Sequence, residues 1–329
     1  MKLSLVLTIA LLTVLAIAFL ASLMAGRVWL SPVTLWQGVV TPGDQLSDLI
    51  LFGLRLPRAV LAILIGGALG LSGAALQGLT RNPLAEPSLL GVAGGASLGA
   101  VIAIYFGLAG VFAFAPPVMG LIGALAAGAI TFAVGRGGGT LTLILAGVAV
   151  SALTGSGVAL ALNFAPSPYA AFEITVWLLG SLSDRTWDHV ILAGPFIAVG
   201  CALLLGAGRA LDALSLGEDQ ARSLGVNLDR SRLLVLLGVG LAVGAATSVA
   251  GAIGFIGLVA PHLVRPFVGH QPSRTLIPSA LVGSTLLLTA DVATRAIYTS
   301  SEIRLGVLTS LIGLPFFFWL VIRMKRTSP

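Results

Sequence analysis

Residues 3–25 read LSLVLTIALLTVLAIAFLASLMA, a run without a single charge. A helix rises 1.5 Å per residue, so about twenty apolar residues cross the hydrocarbon core of a bilayer. The run follows Lys2 and ends in small residues, which is the outline of a secretory signal. Its apolar part is longer than the roughly 7 to 15 residues of a signal's hydrophobic region. It is therefore read as an uncleaved first membrane helix.

Outward from this stretch the same kind of block recurs to the end of the chain. Of 329 residues, 57% are hydrophobic and 9% charged, whereas a soluble domain carries roughly 25% charged residues. No soluble core could use so much apolar surface. The pattern predicts an all-α membrane protein, a single transmembrane domain over 1–329. Its spans are 3–25, 59–79, 91–110, 116–135, 141–163, 190–208, 233–250, 254–264, 276–294 and 305–323. The 42 glycines include many inside these blocks, where small residues let membrane helices approach closely. The single cysteine, Cys201, lies in an apolar block and reads as a small buried hydrophobe.

Ten spans put both termini on one side. Of the 18 Lys and Arg, Arg27, Arg55, Arg58, Arg185, Arg295 and Arg304 fall in one set of alternate loops and the others in the opposite set. Basic residues favour the cytoplasmic side, which places both termini in the cytoplasm. The net charge of +6 follows from that bias and from the anionic inner leaflet. It needs no nucleic-acid partner.

Two stretches interrupt the pattern. GFIGLVAPHLVRPF (254–267) is short for a crossing and contains Pro261, and RNPLAEPSLLGVAGG (81–95) is broken by Gly and Pro after the second span. Irregular backbone at membrane depth is tolerated only where protein or a water-filled cavity surrounds it, so the eighth span belongs inside the bundle. Paired interruptions suggest an inverted repeat, spans two to five against seven to ten. The longest polar stretch, RALDALSLGEDQARSLGVNLDRSR (209–232), alternates Leu211, Leu214, Leu216, Ala221 and Leu224 with charges and is broken at Gly217 and Gly225. The pattern fits a helix at the lipid surface and equally a docking helix for a cytoplasmic partner.

The absences are as informative. A phosphate-binding P-loop needs a lysine after a glycine-rich turn, and Lys2 and Lys325, the two lysines, lie in the terminal tails. The run Gly137–Gly139 reads as a flexible turn between spans. Ion-coupled carriers place acids, histidines or lysines inside the membrane, and Asp291 is the one acid inside a predicted span. It stands four residues before Arg295, a spacing that pairs them on one helix face. His189, His262 and His270 lack neighbours at metal-ligand spacing, so any metal travels inside a chelator. The energy source is expected in another subunit.

From Leu54 onward the motifs become specific: LRLPR (54–58), GLSGAALQGLTRNPLAEPSLLG (70–91), LILAGVAV (143–150), WLLGSL (177–182), LSLGEDQARSLGV (214–226), GFIGLVAPHLVR (254–265), ADVATR (290–295) and LGVLTSLIGLPFFFWL (305–320). In this order and spacing the chain resembles the permease subunits of type II ABC importers for iron-siderophores, haem and cobalamin. The resemblance implies ten helices per subunit and a homodimer with the path on its two-fold axis, in a bacterial inner membrane. It also implies two cytoplasmic ATPase subunits and a periplasmic substrate-binding protein, with a metal chelate as cargo. It assigns coupling to the ATPase to 209–232, through Leu214, Leu216, Gly217, Glu218, Ala221, Leu224 and Gly225. It puts the translocation gate at Asn82, Leu84 and Thr140, and docking of the binding protein at Arg55, Arg58 and Arg295. No cofactor is implied. Read without the resemblance, Asn82 and Pro83 make a turn, Thr140 caps a helix and the three arginines snorkel toward headgroups. The family often carries a basic residue near the start of the fifth helix, where this chain has Gly137–Gly139, Thr140 and Thr142.

A reading from another class is an ion-coupled secondary carrier working alone, with Asp291 as its coupling site. An importer of an oxyanion is a third, and it requires arginines facing the path; none of the ten spans places one mid-membrane.

Overall fold

The computed structural model describes residues 2–26, 29–40, 49–297 and 303–327, which are helical with no strand among them. In chain order the helices are α1 (Lys2–Met24), α2 (Pro32–Val40), α3 (Leu56–Thr80), α4 (Val92–Tyr105), α5 (Ala115–Gly135), α6 (Gly139–Asn163) and α7 (Pro168–Leu178). There follow α8 (Trp187–Gly206), α9 (Gly208–Leu214), α10 (Glu218–Ser223), α11 (Leu228–Ala250), α12 (Ile256–Val264), α13 (Pro272–Ala296) and α14 (Leu305–Thr327). A π-helical turn, Leu49–Arg55, leads into α3. Proline opens the first turn of α3, α5, α7 and α13, where its missing N–H removes no intrahelical bond. Ser167 and Asn227 cap α7 and α11, accepting from the Ala170 and Arg230 N–H groups, as short polar side chains do at helix starts.

Eight of these helices are long and apolar enough to cross a membrane: α1, α3 with its leading turn, α5, α6, α8, α11, α13 and α14. The other two predicted spans are shorter than a crossing. The helix expected over 91–110 stops at Tyr105, and the chain turns through Leu108–Gly110. The eighth span is the nine-residue α12, entered through non-helical backbone at 251–255. It lies inside the bundle as expected, packed on α3, α13 and α14. Two short helices, α2 and α7, were not expected. The second covers one end of α4, where Ile174 is buried with Val101 and Ile104.

The packing repeats itself. Helix α3 lies against α13 and α12, α11 lies against α5 and α4, and α3 and α11 touch each other. Exchanging spans two to five for seven to ten maps one set onto the other, the inverted-repeat pattern of a membrane transporter. The bundle thus has an arginine end, with Arg55, Arg58 and Arg295, and a segment end, with 209–232.

Glycine sets the tightest of these contacts. Gly66 and Gly70 of α3 lie on the backbone of Gly283 and Ser279 of α13, and Gly73 lies on Gly257 of α12. A Cβ at any of the three would overlap a backbone carbonyl of the facing helix. The close approach lets the Ser284 hydroxyl donate to the Ile63 carbonyl at 2.7 Å. Gly70→Ala should therefore destabilise the purified chain by about 1–3 kcal/mol, the usual cost of overpacking. Gly194→Ala, in α8 with nothing within 4 Å of its added Cβ, should leave the detergent melting temperature unchanged. Equal shifts for the two would contradict the close-packing account.

Candidate coupling and docking site

At the segment end, α9 and α10 form a bracket that is tied to three long helices. The Asp212 carboxylate accepts from the Ser273 N–H at 2.8 Å, the Ser273 hydroxyl at 2.6 Å and the Gln271 amide at 2.7 Å. It thereby satisfies the start of α13 from outside that helix, where backbone donors have no intrahelical partner. Six residues on, the Glu218 carboxylate accepts from the Thr140 hydroxyl of α6 at 2.7 Å and from the Arg232 guanidinium of α11 at 2.9 Å. Arg232 is buried. These bonds hold the Glu218 carboxyl below its ordinary pKa of 4.5, the Thr140 bond first and the Arg232 charge after it, against a desolvation that raises it.

The two glycines of the segment are conformational. Gly217 takes φ 115° before α10, and Gly225 takes φ 83° after it, values that favour a residue without a Cβ. The second closes α10 with the Val226 N–H donating to the Ala221 carbonyl at 3.0 Å, a Schellman-type stop. The apolar residues divide into two groups: Leu211, Leu214 and Ala221 are buried in the core, whereas Leu216 and Leu224 are 62% and 64% exposed. Leu214 and Ala221 thus hold the bracket to the bundle, and Leu216 and Leu224 present its free face.

The gate candidates are brought partly together. Asn82 makes the expected turn, its side chain accepting from the Leu84 N–H at 3.0 Å. The chain beyond it packs on α6, with the Ser151 hydroxyl donating to the Ser88 carbonyl at 3.2 Å and Gly147 against the Leu89 carbonyl. Thr140 lies two turns from Gly147 on the same helix. It does not cap α6; the cap position is Gly138, and the Thr140 hydroxyl is spent on Glu218.

At the opposite end the three arginines are turned inward. Arg55 donates to the Leu23 and Met24 carbonyls at 2.7 and 2.8 Å. Arg295 donates to the Ser22 and Ala25 carbonyls at 3.0 and 2.8 Å. Ser22, Leu23 and Met24 are in the last turn of α1, whose carbonyls lack intrahelical donors, and Ala25 follows it directly. Asp291, with its side chain fully buried, holds Arg58 at 2.8 Å and Arg295 at 2.8 Å. The predicted pair of Asp291 with Arg295 is present, and a second guanidinium completes it. The snorkelling account does not hold, because Arg55 and Arg295 are buried and their donors go to protein.

Sequence reasoning missed Glu86. It falls between predicted spans and was not counted as an acid within the bundle, yet its carboxylate accepts from the Phe255 N–H at 2.6 Å. That bond joins the loop after α3 to the break before α12. A signal was present in the two interrupted stretches themselves, since irregular backbone in a membrane needs side-chain partners. Among the described residues no group of three or more His, Cys, Asp or Glu could hold a metal ion.

A model of the FecCD transport family matches residues 14–323. The chain belongs to the FecCD transport family. It is 40% identical over 321 residues to the hemin transport system permease protein HmuU of Yersinia pestis, covering 96% of this chain and 95% of that protein. To the cobalamin import system permease protein BtuC of Halobacterium salinarum it is 41% identical over 282 residues, 84% of this chain and 74% of that one. A solved structure described as an inward-facing conformation of a metal-chelate type ABC transporter superposes with a TM-score of 0.84 at 32% identity, covering 97% of this chain and 99% of the other. This FecCD chain is accordingly a multi-pass membrane permease subunit of an ABC importer, and ATP hydrolysis resides in a separate subunit. The lone ion-coupled carrier is set aside by the family and by the two arginines on Asp291.

The Glu218 latch carries a pH signature. Its carboxyl is lowered in the folded chain, so its contribution is complete above the ordinary pKa and is lost as pH falls through the lowered value. The melting-temperature gap between the wild type and Glu218→Gln should be constant near neutrality and shrink below about pH 4.5. A gap independent of pH would show that the carboxylate charge is not what the bonds use.

Proposed function

We propose that this chain works as a homodimer that passes a metal chelate of the haem or cobalamin class from a soluble binding protein to the cytoplasm. Two ATPase subunits sit at the segment end, which faces the cytoplasm with both termini, and the binding protein docks at the arginine end. The observation that carries the reading is the Thr140–Glu218–Arg232 contact. It links the face carrying Leu216 and Leu224 directly to α6 and α11, so a push on that face moves helices rather than a loop. The names of the relatives support the cargo class.

Within this reading Asn82, Leu84 and Thr140 close the path at the segment end, and 209–232 is the coupling element. Arg55, Arg58 and Arg295 serve docking by fixing where α1, α3 and α13 end. A charge reversal at any of them would set an acid beside Asp291 or beside α1 carbonyls, and would act through the fold before it acted on docking.

The isolated chain should hydrolyse no ATP. Leu216→Asp and Leu224→Asp should abolish co-purification of the ATPase while membrane insertion stays normal, because a charge is placed in an apolar seat. Leu214→Asp, in the core, should instead prevent accumulation of folded chain. If the ATPase still co-purifies with both the Leu216 and Leu224 variants, the segment is a lipid-surface element and the seat lies elsewhere.

A second arm concerns transmission. Glu218→Gln should keep the ATPase bound but cut stimulation of hydrolysis by the loaded binding protein about tenfold, the scale of one charge-assisted hydrogen bond. Undiminished stimulation would remove the latch from the mechanism.

A further inference from the structure

Arg185 stands in the connection between α7 and α8 at the arginine end, where the Trp187 indole donates to the Phe52 carbonyl at 2.9 Å. The connection is well fixed. Gly180 takes φ 68°, the Ser181 N–H donates to the Ala250 carbonyl at 2.7 Å, and Thr186 and His189 form a capping box at the start of α8. The beginning of α14 closes over the same turn, with the Gly306 N–H on the Gly180 carbonyl at 3.5 Å and no space for a Cβ at Gly306.

That closure sets Arg304 at the same turn, within electrostatic reach of Arg185. The Arg185 Nε is buried and has no hydrogen-bond acceptor among the described residues. Burial lowers the Arg185 pKa; the neighbouring Asp184 opposes this and the Arg304 charge adds to it. Among the described residues neither arginine forms an ion pair. A buried donor without an acceptor costs about 1–3 kcal/mol, and two like charges on one rim add repulsion. One carboxylate arriving from the water would relieve both.

We propose that Arg185 and Arg304 form a second docking contact, which receives an acidic side chain of the soluble binding protein. The inference rests on the importer reading above. Arg55, Arg58 and Arg295 have guanidinium donors engaged within the chain, whereas Arg185 keeps one unused outside the spans. The guanidinium fork matches a carboxylate in two parallel bonds. Its backbone is held on both sides, by the α8 cap and by α14, which suits an acid itself fixed on a folded surface. A cargo carboxylate would need no such rigidity at the rim.

The test uses the full complex of permease and ATPase in nanodiscs, titrated with its cognate binding protein at low and high salt. Arg185→Gln and Arg304→Gln should each raise Kd about tenfold, mainly through the on-rate, and flatten its salt dependence. The double variant should lose less than the product of the two, because both act on one carboxylate. Arg185→Lys should recover part of the loss. Each variant is first checked for assembly with the ATPase; if Arg185→Gln does not assemble, Arg304→Gln decides. Unchanged Kd and salt slope would overturn the proposal, and so would lost cargo transport with docking intact, which assigns the arginines to the cargo. A wild-type complex that binds no binding protein would bring down the importer reading itself, and this contact with it.

Discussion

Hydrocarbon offers no hydrogen-bond partner, and this constraint decides where the chain can stop being helical. It stops twice within the bundle, over 81–86, before a 3₁₀ turn at Pro87–Leu90, and over 251–255. At the first break Glu86 accepts from the Phe255 N–H of the second, and Phe255 takes φ 67° to present it. Gln77 of α3 reaches both neighbourhoods, donating to the Ala85 carbonyl at 3.4 Å and accepting from Arg265. The two breaks are thus stapled to each other and to α3. Each half of the repeat supplies what the other lacks, so neither half can be irregular alone.

The same rule acts at the ends of the helices. The carbonyls at the end of α1 are satisfied by Arg55 and Arg295, and Asp291 pairs with Arg295 and with Arg58. At the segment end Asp212 satisfies the start of α13 and Glu218 joins α6 to α11. On the proposed reading, force applied to α9 and α10 would be delivered to three helices together, as rigid-body movement of packed elements requires. The glycine contacts between α3 and α13 leave little room for those helices to slide against each other.

The membrane class and the ten predicted helices were legible because apolar length is written residue by residue, although two of them are shorter than a crossing, and the broken eighth helix showed itself through Pro261 and its shortness. The division of the 209–232 segment was not legible. Leu214 and Leu216 look alike in an alternating pattern, and only the turn at Gly217 decides that one is buried and the other exposed. Arg55 and Arg295 were placed at the ends of α3 and α13, but they donate to carbonyls at the end of α1, about thirty residues or more away in sequence, and a main-chain acceptor has no signature in composition. Thr140 read as a helix cap because the residue it meets, Glu218, is far along the chain. Helices α2 and α7 escaped because they are short and nearly without charge.

The central claim is that the coupling segment and the start of α6 move as one body. Spin labels at the exposed Arg136 and Arg222, in protomers diluted with unlabelled ones, would report their separation by pulsed electron resonance in the nucleotide-free and nucleotide-bound complex. A second measurement would follow Arg136 against its counterpart across the dimer. The account predicts that the separation within one protomer is the same in both states while the separation across the dimer changes. A change within the protomer, with the distance across the dimer constant, would mean that the segment yields under load and does not transmit it.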